Sequence, residues 1–245
     1  ALVETNHIGR LGEYAERAAA RGVIGFITLG LTRPDAATLV MAPYGGAKPA
    51  FSTNPVCFGI PAGDDRTVLM DYATATIAAN KVRVARDKGV PLPPDSLLDR
   101  DGRPTTNPDD FVDDAGNFTR GGMLQAFGKH KGYGLAVVAE LLGNVLAPDL
   151  QVYPGPSGRN GVFMLAINTT AFQSKGAYEA AAKRTVERIK AVPPAPDFDE
   201  VLLPGEPELR SRDQRNREGI PVPDATWETL RRLAREAGVP ESGLA

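Results

Sequence analysis

Apolar positions along the chain recur in two rhythms. In residues 9–21, Leu11, Tyr14, Ala15, Ala18 and Ala19 share one face at the helical period, which predicts a helix stopped by Gly22. Residues 23–29 form an apolar run rich in β-branched side chains and predict a buried strand; residues 57–61 and 67–70 predict two more. Between these lie a short helix predicted over 33–41, with Pro34 in its first turn, and the turn signals Pro43-Tyr44-Gly45-Gly46 and Ser52-Thr53-Asn54-Pro55. Residues 74–88 predict a helix closed by Gly89, with Ile77, Ala78, Val82 and Ala85 inward. From residue 91 to 120 the rhythm breaks. Asp101-Gly102 marks a hairpin turn there, and a stretch this long inside a domain is usually functional or mobile. Order returns with a helix from about residues 129–134 to 146, Leu135, Val138, Leu142 and Val145 inward. A strand over 161–168, a helix over 171–191 and a short strand over 201–203 follow. Residues 206–217 predict a charged, exposed helix, and 225–237 an amphipathic one with Trp227, Leu230 and Leu233 facing a core. Interspersed strands and helices give an α/β or α+β class, and no compositional break divides the chain, so a single domain over 1–245 is expected.

Composition narrows the function classes. A chain of 245 residues can bury a core without covalent staples. The single cysteine, Cys57, excludes an intrachain disulfide and fits a reducing cytoplasm. With 28 Lys+Arg against 30 Asp+Glu, no electrostatic drive toward nucleic acid or anionic membrane exists. No apolar run approaches the ~20 residues that span a bilayer, and the first residues lack the pattern of a signal peptide. The chain opens on Ala1 with a strand-like segment running at once into a helix start. Either it begins inside a fold, or an initiator Met has been removed before a small residue.

Several chemistries find no support. There is no P-loop pattern, and Gly132-x-Gly134 lacks the third glycine of a Rossmann fingerprint, since Val137 stands there. Two histidines and one cysteine do not make the usual zinc clusters. Three groups remain. His7 follows Asn6, a good N-cap, so its imidazole is expected in the first helical turn, where the dipole favours the neutral ring. There it serves either as a proton carrier or as a structural group. Lys129-His130-Lys131 at a helix start makes either an anion site or a solvated basic turn, and Gly132 and Gly134 permit close approach of a backbone or a planar ligand. Asp71, after a strand, either accepts from a ribose hydroxyl or caps the following helix.

Seven blocks stand in order along the chain: Asn6-His7-Ile8-Gly9, Gly22-Val23-Ile24-Gly25, Pro43-Tyr44-Gly45-Gly46, Thr53-Asn54-Pro55, Asp71-Tyr72-Ala73-Thr74, Lys131-Gly132-Tyr133-Gly134-Leu135 and Leu203-Pro204-Gly205-Glu206. Together they resemble the malate/L-lactate dehydrogenase family that lacks a Rossmann fold, which includes ureidoglycolate and sulfolactate dehydrogenases, diketogulonate reductase and piperideine-2-carboxylate reductase. The resemblance implies a mixed, largely antiparallel sheet flanked by helices, and a homodimer. It implies NAD or NADP as cofactor and a small 2-oxo or 2-hydroxy acid as substrate. It places His7 as the acid/base group and Asp71, Tyr72, Ala73, Lys131 and Gly132 in cofactor-holding segments. Family members carry a long segment before the histidine block, with a substrate-holding arginine, so this chain is expected to be N-terminally incomplete. Here Thr28-Leu29-Gly30-Leu31 departs from the family's cofactor segment, an insertion follows around residues 33–39, and Ser52 replaces a glycine. The alternative is a catalytically incomplete homologue that serves as a nucleotide-binding or structural module.

Overall fold

A computed structural model describes residues 1–32, 34, 38–113, 116–118, 120–146 and 159–240. In chain order its elements are β1 (Leu2–Thr5), α1 (Leu11–Ala19), β2 (Val23–Leu31), β3 (Val56–Pro61), β4 (Thr67–Tyr72), α2 (Ala79–Asp87), β5 (Leu97–Leu98) and β6 (Pro104–Thr105). Then follow β7 (Met123–Leu124), α3 (His130–Glu140) continued by a π-helical turn (Leu141–Val145), β8 (Asn160–Asn168), α4 (Lys175–Lys190), α5 (Glu206–Glu218) and α6 (Asp224–Glu236). The main sheet has the order β1-β8-β2-β3-β4 and a small one the order β6-β5-β7. Every strand pair in both is antiparallel, as the expected helix-flanked, largely antiparallel architecture requires.

β2 is the axis of the main sheet, and its alternation sends Gly25, Ile27 and Leu29 to one face and Gly30 to the other. On the first face α1 packs through Leu11 and Ala15 against Ile27, Leu29, Cys57, Leu69 and Val162. Gly25 and Gly59 are cross-strand partners beneath it, and a Cβ on Gly59 would stand 2.5 Å from the Ala15 carbonyl oxygen. On the opposite face the partners are Gly30 and Gly161, and the π-helical turn rests on them through Gly143. A Cβ on Gly161 would lie 1.9 Å from the Gly143 oxygen, and one on Gly143 would lie 2.2 Å from the Gly30 nitrogen. Helix and sheet therefore meet backbone to backbone.

Several boundaries differ from the sequence reading, each for a local reason. α1 starts at Leu11 rather than residue 9 because Gly9 takes φ +82°, outside helical space. α2 starts at Ala79 because the preceding residues are held extended: Thr74 N–H donates to Thr53 O, Thr76 N–H donates to Gln125 O, and Ala75 bridges Ala126. In α3 the buried residues are Gly132, Ala136 and Ala139, while Leu135, Val138 and Val145, expected inward, are exposed. Close approach selects the small side chains: a Cβ on Gly132 would stand 2.2 Å from the Phe127 oxygen. The segment 201–203 forms no strand, although Leu69 N–H donates to the Pro204 carbonyl at 3.0 Å. The helix expected over 33–41 lies partly outside the described residues, and at its end Met41 is extended and bridges Phe51.

The irregular stretch beyond residue 91 has its own core. Leu97, Phe111, Val112 and Leu124 pack with Met41 and Val82 in one buried cluster. The Asp101-Gly102 turn forms, with Gly102 at φ +81° and the Asp99 carboxylate accepting the Asp101 and Arg103 N–H groups at 2.9 Å.

The chain, expected as one domain, divides into two compact units, Ala1–Gly205 and Glu206–Ala245. In the second, α5 buries no residue, as its charge predicted. In α6 the apolar side chains Trp227, Leu230 and Leu233 are exposed rather than in a core, with Ala234 buried.

The glycine contact generates a direct test. Gly161→Ala must force the π-helical turn off the sheet and is expected to cost about 1–3 kcal/mol or more in urea unfolding, the range for overpacking. Gly176→Ala near the start of α4, where a Cβ meets nothing within 4 Å, should be neutral or stabilising by up to about 1 kcal/mol. Equal stabilities for the two variants would contradict the packing described.

Candidate active site

A cleft of about 260 Å³ opens where four segments converge: the His7–Leu11 connection, the end of β2 from Leu29 to Leu31, the turn Ser52–Pro55, and the side chains of Asp71 and Asn160. Each wall is placed by the fold. β1 ends at Thr5, whose hydroxyl donates to the Asn160 carbonyl at 3.0 Å; the Asn160 amide in turn donates to the Asn6 carbonyl at 3.3 Å. These contacts tether the His7 segment to β8. Its other end is fastened by Tyr14, which donates to the Ile8 carbonyl at 2.8 Å.

His7 is exposed on this wall, and its Nδ1 accepts the Gly9 N–H at 3.1 Å. An accepting Nδ1 assigns the proton of the neutral ring to Nε2. The expected position of His7 in the first helical turn is corrected: the N-cap of α1 is Arg10, so the imidazole lies ahead of the helix.

Asp71 stands in the same cleft, at the end of β4. Its Oδ2 accepts the Gly12 N–H at 2.7 Å. α1 has no side-chain cap of its own from Arg10, so Asp71 supplies one from across the sheet. The expected alternative, a cap on the following helix, is excluded by distance along the chain, since α2 begins only at Ala79. Beside it the Arg10 guanidinium is hydrogen-bonded to the Glu16 carboxylate. Partial burial works against the Arg10 charge, but the Glu16 bond and the charges of Glu16, Asp71 and Glu13 outweigh it and raise its pKa. Cys57, paired across the strands with Asp71, is held as a thiol: burial, aided by the Asp71 charge, pushes its pKa up to about 12.

The remaining expected site residues do not line this cleft. Tyr72 makes an edge contact with Phe127 at 5.4 Å between ring centres, and Ala73 packs on the core of the irregular stretch. Lys131 is exposed in the first turn of α3, and Gly132 is buried against the Phe127 backbone. Lys129 borders a separate hollow of about 250 Å³ with Tyr44 and Gln125. Among the described residues no group of three or more His, Cys, Asp or Glu side chains could hold a metal ion.

Three residues escaped the sequence reading as site candidates. Arg10 is the only Lys or Arg among the described residues of the cleft wall. Asn54 is 1% exposed and takes φ +35°; its Nδ2 donates to Glu140 Oε2 at 2.8 Å and to the Ala136 carbonyl at 3.1 Å, while its Oδ1 has no partner among the described residues. Glu140 also accepts from Leu31 N–H at 3.2 Å and from the Asn144 amide at 3.3 Å. The turn signal around Asn54 marked its place. Nothing local could have connected it to Glu140, 86 residues further on.

An antiparallel sheet, a cleft walled by an exposed imidazole and a guanidinium, and no dinucleotide-binding glycine fingerprint define a class of non-Rossmann α/β proteins. The malate/L-lactate dehydrogenase family matches residues 1–231, and the chain belongs to that family. It is similar to hydroxycarboxylate dehydrogenase B of Escherichia coli O157:H7, with 38% identity over 100% of this chain and 66% of that protein. It is also similar to L-lactate dehydrogenase of Cupriavidus necator, with 37% identity over 97% of this chain and 67% of that protein. Among solved structures, sulfolactate dehydrogenase from Methanocaldococcus jannaschii matches with a TM-score of 0.79 and 29% identity, covering 97% of this chain and 66% of that one. The chain spans about two thirds of the length of these relatives.

Two outcomes follow from the Asp71 and Cys57 geometry. Asp71→Ala is expected to lower stability in urea by about 1–2 kcal/mol, the usual worth of a lost N-cap, with Asp71→Asn losing less because its oxygen still accepts. Cys57 should resist iodoacetamide at pH 8 in the folded protein and react after denaturation. Its folded pKa, about 12, lies above its ordinary 9.0, so the stability it contributes is complete below pH 9 and is lost as pH rises toward 12. A stability flat across that window would contradict the assignment.

Proposed function

We propose that this chain belongs to an NAD(P)-dependent oxidoreductase that transfers a hydride between a nicotinamide cofactor and a 2-hydroxy or 2-oxo acid. The observation that carries this reading is the exposed His7 imidazole on a cleft wall shared with the Arg10 guanidinium. Relatives named hydroxycarboxylate, lactate and sulfolactate dehydrogenases support it.

The cofactor supplies the hydride when bound. A cleft of about 260 Å³ is near the lower bound of small-molecule sites, roughly 300 Å³. It suits a nicotinamide ring with a small acid, the rest of the dinucleotide lying beyond it. The cleft wall carries a cation, Arg10, so its chemistry fits a carboxylate. Arg10 binds the substrate carboxylate through the guanidinium edge that Glu16 leaves open. His7 Nε2 faces the reacting oxygen: as N–H it donates to the carbonyl or alkoxide oxygen, and stripped of that proton it accepts from the hydroxyl. A ring that gives up its Nε2 proton must carry one on Nδ1, so the Gly9 N–H contact opens during the cycle; the exposure of His7 leaves room for that turn.

Asp71, Tyr72, Ala73, Lys131 and Gly132 belong to this proposal as cofactor-holding segments. Asp71 acts at the cleft, while the other four lie on the elements around it. The cofactor is NAD or NADP. We further assign a homodimer, supported by the exposed apolar stripe Leu135, Val138, Leu141 and Val145 along α3 and its extension. A reducing cytoplasm is the proposed location, supported by the free, buried Cys57; no helix among the described residues is long and apolar enough to cross a membrane.

The test is NADH or NADPH oxidation against 2-oxo acids, with cofactor binding followed separately by fluorescence. His7→Ala should remove most turnover and leave cofactor affinity nearly unchanged. Arg10→Gln should raise the oxo-acid KM more than it lowers kcat. Near-normal turnover in His7→Ala would overturn the role of the imidazole, and absence of any bound reduced dinucleotide would overturn the reading as a whole.

A further inference from the structure

β1 does not follow β8 in simple register. Leu2 stands opposite Val162 and Thr5 opposite Asn160, so two residues, Val3 and Glu4, face the single residue Gly161. That is the count of a β-bulge, a feature that re-aims the chain beyond it. Within it Glu4 takes φ +55°, the left-handed region that a glutamate rarely adopts. Such a backbone persists only where its surroundings hold it. The Glu4 carboxylate accepts from the Thr32 hydroxyl at 3.4 Å. Just beyond, Asn160 grips the chain twice: its carbonyl accepts from the Thr5 hydroxyl at 3.0 Å, and its side-chain amide donates to the Asn6 carbonyl at 3.3 Å. Asn160 lines the cleft, and the residue after Asn6 is His7.

A regular ladder would set Glu4, not Thr5, opposite Asn160 if Leu2 stayed opposite Val162. Each residue beyond would then move one position along β8, about 3.3 Å, and turn its side chain to the other face. We propose that Asn160 is the positioning residue for the His7 imidazole: its side-chain amide, with the Thr5 hydroxyl, selects the bulged register over the regular one and so sets which way His7 is presented to the cleft. This rests on the reading of His7 as the proton carrier. On the far side the Tyr14 hydroxyl holds the Ile8 carbonyl, so the carbonyls before and after His7 are each fastened by a side chain from another element.

The test is nuclear magnetic resonance of the chain without ligand. It has two histidines, so His130 in α3 serves as an internal reference. Asn160→Ala removes the amide, and its His7 ring signals should shift or split while those of His130 stay. Glu4→Val and Glu4→Gly both delete the carboxylate, but valine resists a positive φ and glycine accepts it. Glu4→Val should therefore reproduce the effect of Asn160→Ala, whereas Glu4→Gly should keep the wild-type His7 signals. His7 signals that stay in place in Asn160→Ala, or that respond alike to the two Glu4 variants, overturn the proposal. If Asn160→Ala does not fold, the Glu4 pair decides alone. In the turnover assay a misplaced imidazole should cost about 100-fold. Full turnover beside displaced His7 signals would overturn the reading of His7 as proton carrier and leave the register assignment standing.

Discussion

The backbone contact among Gly30, Gly143 and Gly161 is the constraint on which the site depends. Cross-strand glycines let the π-helical turn after α3 lie on the sheet with no side chain between them. That closeness brings Glu140, one turn earlier, within reach of Leu31 N–H and the Asn54 amide. A side chain at any of these three positions would hold the turn off the sheet and carry the Glu140 carboxylate away from both. The end of β2 and the Ser52–Pro55 turn are thus joined through one acidic side chain, and both form walls of the cleft.

The same device is used on the other face, with a different result. Gly25 and Gly59 admit the Ala15 backbone, so α1 descends onto the sheet far enough for its first turn to meet the end of β4. Asp71 then caps a helix 59 residues away in sequence. The carboxylate orders the start of α1, and with it the segment that carries His7 and Arg10. One strand with a glycine toward each face therefore organises both halves of the site, one through a borrowed cap and the other through a clamped amide.

Apolar patterning made part of this fold legible, because β2 is a largely buried apolar run and α1 buries Leu11, Ala15 and Ala19 at the helical repeat. It failed in α3, where the repeat of Leu135, Val138 and Val145 marked the exposed face and the glycines and alanines marked the buried one. A helix that docks through backbone contact reverses the usual meaning of side-chain size. His7 and Asp71 were legible as chemistry, and the structure brings both to one cleft. The placement of His7 in a helical turn was not, because Gly9 at φ +82° diverts the chain before α1 begins. Arg10 was hidden in a segment read as the start of a helix, and the Glu140–Asn54 pair was illegible because its partners meet only after the sheet has formed.

The tether between Asn160 and the Asn6 carbonyl joins residues 154 positions apart. On a growing chain, His7 is synthesised well before its anchor. Its anchor on β8 does not exist until translation has passed residue 160, and contacts between such distant positions carry the largest loop-closure penalty and form late. The wall that carries the imidazole is thus assembled after the neighbouring β3–β4 hairpin, and the nascent chain has no histidine cleft until Asn160 has been added.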